Sequence, residues 1–326
     1  MSLRKISEMT GVSVSTVSRV LNNAPGPCAS REVRERIWRA AQEIGYSPNR
    51  TAQALRRGEG ERAPLKILII TARIHLLEAD PFFHELYMSV QSELYREGCA
   101  FSRVDLRDDS EPELPECDGM LILGRCSPHL LEKLKRKTPN LAGIWRNPTD
   151  FDIDEVVCDG KKAAGMAVEY LISRGCRRIA YIGDCSYESR YVGYCETLIR
   201  NNLPINYPLV FPTGQTREEG LAAMRSIIAA GEADAVFCAN DISAAGALDA
   251  LMEIPRRRPR IAVISIDNID IAQQTAPLLT TINIPRDDMA HMAVKVLMDR
   301  IARGHREKLR VEFPCRLIKR KSCFED

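Results

Sequence analysis

The chain has 326 residues, enough for one small domain and a larger core, and its 45% hydrophobic and 28% charged residues are typical of a globular protein in water. No apolar run approaches the ~20 residues of a membrane span, and the polar start does not resemble a secretory signal, so we expect a cytoplasmic protein. The net charge is +2, but residues 1–60 hold ten Lys and Arg against five Asp and Glu. This concentration of positive charge predicts contact with phosphates.

Residues 3–22, LRKISEMTGVSVSTVSRVLN, predict two short helices around a tight turn. Gly11 suits the turn, and Ser13 is placed to cap the second helix. The apolar residues expected to share one small core are Ile6, Met9, Val12, Val17 and Val20. On the outer side of the second helix lie Val14, Ser15, Thr16, Ser18 and Arg19. Hydroxyls suit phosphate oxygens and Arg suits guanine, so the pattern favours a helix in a DNA major groove over an ordinary amphipathic hairpin.

Two further segments continue this pattern. Ser30 is placed to cap a third helix, from Arg31 to about Ile44. In YSPNRTAQALRRG, residues 46–58, the stretch Arg50–Arg57 has too little apolar surface for a helix that is stable alone. A basic helix that carries Leu55 suits a wedge in the minor groove, and the alternative is a solvated linker.

After residue 61, apolar runs alternate with helical patterns. The predicted strands are Leu65–Thr71, Met120–Leu123, Leu141–Trp145, Arg178–Ile182, Ala235–Cys238 and Ile261–Ile266. The predicted helices are Phe82–Gly98, Lys161–Arg174, Arg190–Asn201, Glu218–Ala230, Ser243–Leu251 and Asp287–Arg303. This alternation predicts an α/β core of parallel sheets with helices on both faces, which binds ligands beyond the carboxyl ends of its strands.

Several side chains near predicted strand ends are candidates to bind a small molecule. Trp145, Asn240 and Asp267 each end or follow a strand, and Phe82 lies between the first strand and its helix. Amides and carboxylates beside an aromatic face suit a sugar. Asp241 is predicted as a helix cap and a residue that structures its lobe rather than a ligand contact, and Phe82 stays equally open between site and core.

Other chemistry is not indicated. The eleven cysteines are scattered without C-x-x-C spacing, which predicts free buried thiols, with Cys28 and Cys323 the most exposed. The motifs G-x-x-x-x-G-K, G-x-G-x-x-G, H-E-x-x-H and G-x-S-x-G are missing from the sequence. We therefore expect no enzyme, no catalytic residue, no metal and no cofactor.

The stretches GVSVSTVSRVLN and YSPNRTAQALRRG resemble the LacI/GalR family of bacterial transcription regulators, and the resemblance covers essentially the whole chain. The residues that it implies as main base readers are Val14 and Ser15. Those implied to contact backbone or bases are Thr16, Ser18, Arg19 and Asn22. Those implied to form the hinge and enter the minor groove are Asn49, Arg50, Ala52 and Leu55. The chain departs from the family at Ser7 and Thr10, where Ala is frequent.

The resemblance also implies a domain plan. The implied parts are a helix-turn-helix domain at 1–46, a hinge helix and linker at 47–61, and an effector-binding and dimerisation core at 62–326. The core has the fold of periplasmic sugar-binding proteins, with the effector between two lobes. These lobes are placed at about 62–158 with 285–312, and at about 159–284 with 313–326. Their three crossovers are implied near Asp159, Ile284 and Phe313.

Site residues follow from the same resemblance. Arg190, in ESRYVGY, matches the family's ligand-clamping Arg at a helix start. Trp145 lies near the place where sugar-responsive relatives carry an Asp, so we hypothesise that it stacks on the effector. The segment Thr213–Thr216 lacks the aromatic residue that many relatives place against the ligand. The stretches DPFF, DGMLILG and ESRYVGY look most like galactoside-responsive repressors.

The implied function is regulation of transcription by a homodimer on a near-palindromic operator, with half-site centres ~10 bp apart. An effector, expected to be a sugar, shifts the population between two states of the core. A repressor is the default, and the alternatives are an activator or a cytoplasmic solute-binding sensor with the same core. The sequence ends at VEFPCRLIKRKSCFED without a heptad helix, so we expect a dimer rather than a tetramer.

Overall fold

The computed structural model describes residues 3–21, 29–44, 63–72, 80–106, 114–186, 188–253 and 261–324. The residues with predicted roles that lie outside these ranges are Asn22, Cys28, Asn49, Arg50, Ala52 and Leu55. Within the described ranges, no helix has both the length and the apolar character that crossing a bilayer requires.

In the part of the head that the structure describes, three helices are present, namely α1 (Leu3–Thr10), α2 (Val14–Leu21) and α3 (Arg31–Glu43). Gly11 turns the chain between α1 and α2 with a φ of +67°, as its position predicted. The buried apolar residues of the head are Ile6, Val17, Val20, Leu21, Ile37, Trp38, Ala40 and Ala41. The two-helix pattern and its small core are therefore confirmed.

The prediction that Met9 belongs to the core of the head is wrong. Met9 is 45% exposed, because the buried face of α1 runs through Ile6 and Thr10 instead. The buried Thr10 hydroxyl has a hydrogen-bond partner within the helix, because it donates to the Ile6 carbonyl at 2.6 Å. Ser7, the other departure from the family pattern, donates to the Val12 carbonyl at 2.5 Å across the turn. Both hydroxyls are thus accommodated by backbone acceptors.

The rest of the chain alternates strands and helices. The first elements are β1 (Lys66–Ala72), α4 (Pro81–Arg96), β2 (Ala100–Leu106), β3 (Gly119–Gly124), α5 (Pro128–Lys137), β4 (Leu141–Trp145) and β5 (Asp154–Val157). The next are α6 (Gly160–Ser173), β6 (Ile179–Gly183), α7 (Ser189–Arg200), β7 (Val210–Pro212), α8 (Arg217–Ala230), β8 (Ala235–Cys238) and α9 (Asp241–Met252). The last are β9 (Ala262–Asp267), β10 (Thr280–Asn283), α10 (Arg286–Ile301), β11 (Arg310–Glu312) and β12 (Arg316–Ile318).

Among the described residues, the strands form two six-stranded sheets, in the orders β11-β5-β4-β3-β1-β2 and β12-β10-β9-β8-β6-β7. Pairing is parallel at β1–β2, β1–β3, β6–β8 and β8–β9, and antiparallel at β10–β12. The predicted α/β architecture is confirmed. The sequence missed the outermost strands, such as β2, because its largely exposed side chains form no apolar run.

The chain divides into two compact units. The first comprises Met1–Ile144 with Ala290–Leu309, and the second comprises Trp145–Met289 with Arg310–Asp326. Within the first unit, the head contacts α4 through Trp38, whose ring lies edge-on to Tyr95 with centroids 5.2 Å apart. Both rings are buried, so an aromatic contact holds α3 against α4.

The expectation that Cys323 is among the most exposed thiols is wrong. It is 0% exposed, and its Sγ donates to the Val263 carbonyl at 3.2 Å. The short helical turn that contains it packs against β9, which places the thiol inside the second unit. The apolar pattern near the end of the chain is too short to reveal this packing.

Helices α8 and α9 of the second unit meet backbone to backbone at two glycines. A Cβ on Gly246 would lie 1.9 Å from the Arg217 carbonyl oxygen, and one on Gly220 would lie 2.1 Å from the Ser243 carbonyl oxygen. Real Cβ contacts are never this short, so neither position accepts a side chain unless the helices separate.

We expect Gly246→Ala to lower the free energy of unfolding by about 1–3 kcal/mol, the usual cost of overpacking. Urea denaturation of the full chain measures it. Gly165→Ala in α6 is the control, since its Cβ would have only the Thr197 hydroxyl within 4 Å, at 3.2 Å. Equal stability of the two variants would contradict the close helix contact.

Candidate DNA-binding and effector sites

Ser13 starts the helix predicted to read DNA. The Thr16 backbone N–H donates to Ser13 Oγ at 3.2 Å, and the Val17 N–H donates to the Ser13 carbonyl at 2.9 Å. The predicted capping role of Ser13 is therefore confirmed. The cap fixes the first turn of α2 and so sets the direction in which its outer side chains project.

The outer face of α2 is polar except at its first residue. Val14 is 40% exposed, Ser15 and Arg19 are exposed, and Thr16 and Ser18 are half-buried. The Thr16 hydroxyl is hydrogen-bonded to the Ser13 hydroxyl at 2.8 Å. This face presents an isopropyl group, hydroxyls and a guanidinium, which match thymine methyls, phosphates and guanine edges.

In the second unit, Arg190 is held by an ion pair that the sequence did not predict. Its Nε and Nη2 donate to the two carboxylate oxygens of Glu188 at 2.9 and 3.0 Å. Its Nη1 donates to the Ala239 carbonyl, at the end of β8, at 2.6 Å. The Arg190 side chain is buried, and its contact with an effector stays a prediction.

Glu188 also caps α7 by accepting from the Arg190 N–H at 3.2 Å. Burial alone would raise the pKa of Glu188, but the adjacent Arg190 guanidinium outweighs it and lowers the pKa to about 2. The same partnership raises the pKa of Arg190 against its own burial. The pair is therefore ionised across the physiological pH range.

Asp267 ends β9 in a conformation that non-glycine residues rarely adopt. Its φ is +120°, and that of Asn268 is +52°. Arg286 supports this turn by donating to the Asp267 and Asn268 carbonyls at 2.6 and 3.4 Å. The carboxylate is buried, with Arg146 Nη2 3.5 Å from its Oδ2. Strained residues of this kind concentrate at binding sites.

The helix cap lies one residue earlier than the sequence predicted, at Asn240 instead of Asp241. Asn240 is the cap of α9, since its Oδ1 accepts from the N–H and hydroxyl of Ser243 at 2.9 and 2.7 Å. The prediction that Asp241 caps the helix is wrong, because Asp241 is the first helical residue. The predicted effector contact of Asn240 stays a prediction.

Asp241 instead organises the strand ends from inside. Its carboxylate accepts from the hydroxyls of Ser265 and Thr281 at 2.5 and 2.6 Å and from the Ile269 N–H at 2.8 Å. Burial, together with the negative charge of Asp267, raises the pKa of Asp241 to about 7 despite these bonds.

Trp145 and Asn147 contribute polar atoms that the fold does not use. Within the described ranges, Trp145 Nε1 and Asn147 Oδ1 are buried and have no hydrogen-bond partner. The Trp145 ring lies roughly edge-on to Phe151, with centroids 6.4 Å apart. A Cβ on Gly160 would lie 2.8 Å from Asn147 Oδ1 and 3.3 Å from Arg190 Cγ. The absence of a side chain at Gly160 therefore leaves room for the side chains of Asn147 and Arg190 to approach this position.

Phe82 belongs to the first unit and is 3% exposed. It packs edge-on against Phe83 with ring centroids 5.3 Å apart, just after the Asp80 cap of α4. This environment corresponds to the core alternative, and contact with an effector stays a prediction. The other candidates, Trp145, Arg190, Asn240 and Asp267, lie together in the second unit.

The segment that lacks the expected aromatic residue has a structural role of its own. Thr216 caps α8 and forms a reciprocal box with Glu219, whose carboxylate also accepts from the Gly214 N–H at 3.0 Å. The Gln215 carbonyl accepts from Asn240 Nδ2 at 3.1 Å, which joins the segment to the start of α9.

Comparisons with known proteins agree with both parts of the chain. Residues 2–49 match the family described as bacterial regulatory proteins, lacI family, and residues 168–323 match the periplasmic binding protein-like domain. The HTH-type transcriptional repressor PurR of Photorhabdus laumondii is 28% identical, over 99% of this chain and 97% of its own. PurR of Erwinia tasmaniensis is also 28% identical, over 98% of this chain.

Among solved structures, the transcriptional regulator CelR–cellobiose complex has a TM-score of 0.69 at 26% identity, and the match covers 99% of each chain. The lac repressor dimer bound to operator and the anti-inducer ONPF has a TM-score of 0.68 at 22% identity, covering 100% of this chain. At that identity the second likeness shows the fold alone.

The capped helix-turn-helix head and the polar site at the strand ends of an α/β core, together with these matches, define a DNA-binding regulator of transcription controlled by a small molecule. The chain belongs to the LacI/GalR family.

We expect Glu188→Gln to lower the free energy of unfolding by about 3 kcal/mol at pH 7, because it leaves the buried Arg190 charge unpaired. The pKa of Glu188 is about 2 in the folded chain and 4.5 as its ordinary value, so its stabilisation is complete above pH 4.5 and is lost as the pH falls towards 2. Urea denaturation of both proteins at several pH values measures the difference.

The control is Glu253→Gln, which removes a carboxylate from an exposed pair with Arg225. Taking differences from the unaltered chain removes the pH dependence of other groups, including Asp241. A Glu188→Gln difference that stays constant from pH 7 to pH 3 would contradict the ion-pair assignment.

Proposed function

We propose that this regulator is a homodimeric repressor whose α2 helices read the two halves of a near-palindromic operator. The exposed Val14, Ser15 and Arg19 at one face of a capped helix support direct reading of bases. The basic segment after the head, with Asn49, Arg50, Ala52 and Leu55, is proposed to enter the minor groove at the centre of the site. The names of the PurR relatives support repression rather than activation.

Self-association is proposed from large apolar side chains that the second unit leaves exposed. Tyr207 is 70% exposed, Met252 is 66% exposed and Leu278 is 41% exposed. A second copy of the chain would remove this apolar surface from water. The same proposal places the protein in the cytoplasm with chromosomal DNA, without catalytic activity of its own.

The observation that carries the effector proposal is the pair of unused buried atoms, Trp145 Nε1 and Asn147 Oδ1. One is a donor and the other an acceptor, and a hydroxyl group satisfies both kinds of atom. Two of the nearby cations already have carboxylate neighbours, since Arg190 pairs with Glu188 and Arg146 lies by Asp267. A neutral ligand rich in hydroxyls, a sugar or glycoside, therefore fits better than an anion.

A purine base is the second candidate. The sequence relatives are named PurR, and a flat base would stack on the Trp145 indole while its ring atoms donate and accept. The structural relative in complex with cellobiose supports the sugar. A sugar offers several hydroxyl donors to Asn147 Oδ1, and the two ligand classes therefore differ in the hydrogen bonds that they can form with this side chain.

The DNA proposal is tested by selecting duplexes from a random library with the full chain at physiological salt. We expect a near-palindromic site with half-site centres ~10 bp apart. Ser15→Ala should change the preferred base at one symmetric position, since one base contact is worth about 1–3 kcal/mol. Arg39→Ala is the control, an exposed basic residue on α3 of the same head. Unselective or asymmetric sites would refute this reading of α2.

The effector proposal is tested by Trp145 emission in a Trp38→Phe background, where Trp145 is the remaining tryptophan of the two. We expect titration with monosaccharides, cellobiose or galactosides to change the emission, and sugar phosphates to have less effect. Asn147→Ala should weaken the binding by about tenfold, the value of one buried hydrogen bond.

Asn206→Ala is the matched control, because this half-buried asparagine bonds only weakly to Glu232 at 3.5 Å. A response to purine bases alone would select the second candidate. An emission spectrum that stays constant while a bound ligand raises the melting temperature would remove Trp145 from the site.

A further inference from the structure

Two cysteines of the second unit lie against each other. Cys158 follows β5 and Cys315 follows β11, and these strands pair in parallel with Val157 opposite Glu312. The Phe313 N–H extends the pairing by donating to the Val157 carbonyl at 2.8 Å. Cys158 and Cys315 therefore lie at the ends of adjacent strands, and each thiol is the largest single influence on the pKa of the other.

The two thiols differ in access and in reactivity. Cys158 is buried, whereas Cys315 is half-buried. The hydrogen bond from Cys158 lowers the pKa of Cys315 and outweighs its burial, helped by its backbone hydrogen bond and the Lys162 ammonium, while Asp159 opposes it. The same bond raises the pKa of Cys158. Cys315 is thus the accessible thiol with more thiolate character, and Cys158 is the partner behind it.

The pair is connected to the polar site by backbone contacts. The Cys158 N–H donates to the Trp145 carbonyl at 3.4 Å, and the Gly160 N–H donates to the Arg146 carbonyl at 2.8 Å. Asp159, between them, caps α6. A displacement of Cys158 therefore pulls on the segment that presents Trp145 and Asn147.

We propose that Cys158 and Cys315 are a modification site, at which a hydroperoxide forms a reversible disulfide that acts on the segment Trp145–Asn147. The Cys315 thiolate attacks one peroxide oxygen and the O–O bond breaks. The alkoxide or hydroxide that leaves takes up a proton, and Cys315 becomes a sulfenic acid.

The Cys158 sulfur then attacks the Cys315 sulfur, and the S–O bond breaks. The hydroxide leaves with the Cys158 proton as water, and the sulfurs close to the ~2.0 Å of a disulfide. In sum, the two thiols are oxidised to a disulfide. An organic hydroperoxide is reduced to an alcohol and one water, and hydrogen peroxide is reduced to two waters. Any dithiol reductant reverses the modification.

To test this, the reduced full chain is treated with hydrogen peroxide, and the peroxide is then removed. Free thiols are alkylated under denaturing conditions, and tryptic peptides are mapped without reduction. Cys158 lies in the peptide Asn147–Lys161 and Cys315 in Val311–Arg316, and each peptide holds one cysteine. We expect these two peptides to be the main linked pair and to separate with dithiothreitol. Full alkylation of both cysteines, or linkage of either to another cysteine, would overturn the proposal.

Variants separate the two roles. In Cys158→Ser, Cys315 should stop at a sulfenic acid that dimedone traps, and in Cys315→Ser, Cys158 should remain a thiol. Cys185→Ser is the matched control, because Cys185 is half-buried like Cys315 but burial raises its pKa to about 11. The link should form in this control as in the unaltered chain, and its loss there would contradict the assignment.

The effect on the polar site is measured by Trp145 emission in the Trp38→Phe background, before and after peroxide. We expect a change that dithiothreitol reverses and that is lost in Cys315→Ser. An emission spectrum that is unaffected when the linked peptides are present would overturn the connection to the Trp145–Asn147 segment.

Discussion

The buried ion pair between Glu188 and Arg190 is the interaction on which the polar site of the second unit depends. A guanidinium removed from water costs several kcal/mol unless its charge and its N–H groups find partners. Both carboxylate oxygens of Glu188 and the Ala239 carbonyl supply those partners. Because Glu188 begins α7 and Ala239 follows β8, one ion pair fixes a helix start to a strand end. It also leaves Arg190 without an unbalanced charge, which favours a neutral effector.

The remaining strand ends are held by the same kind of polar support. Arg286 bonds to the carbonyls of the strained turn at Asp267, and the Asp241 carboxylate gathers three donors beneath it. Satisfied buried networks of this kind rigidify a site, since each bond strengthens in the low dielectric. The unused atoms of Trp145 and Asn147 lie beside this rigid frame, which prepares them for a ligand. The neighbouring pair Cys158 and Cys315 adds a point at which oxidation reaches the same segment.

Local patterns in the sequence predicted the helices of the head and the architecture of the core, and the errors concern individual side chains. The helices of the head, the Ser13 cap and the parallel α/β core were predicted from periodicity and capping, which act within a few residues. Met9 was misplaced because the packing of α1 against α3 decides which apolar residue faces inward. The cap of α9 was assigned to Asp241 instead of Asn240, since a polar residue after a strand gives one signal for a helix cap and for a ligand contact.

By itself, the sequence determined the family, the helix-turn-helix head and the alternation of strands and helices in the core, because these follow from local patterns along the chain. Only the tertiary structure decided the partners of buried polar groups. The bond from Arg190 to Ala239 and the contact of Cys158 with Cys315 join residues far apart in the chain, and they exist because parallel pairing brings strand ends to one edge. Charge balance and thiol reactivity arise from such non-local contacts, which residue spacing does not encode.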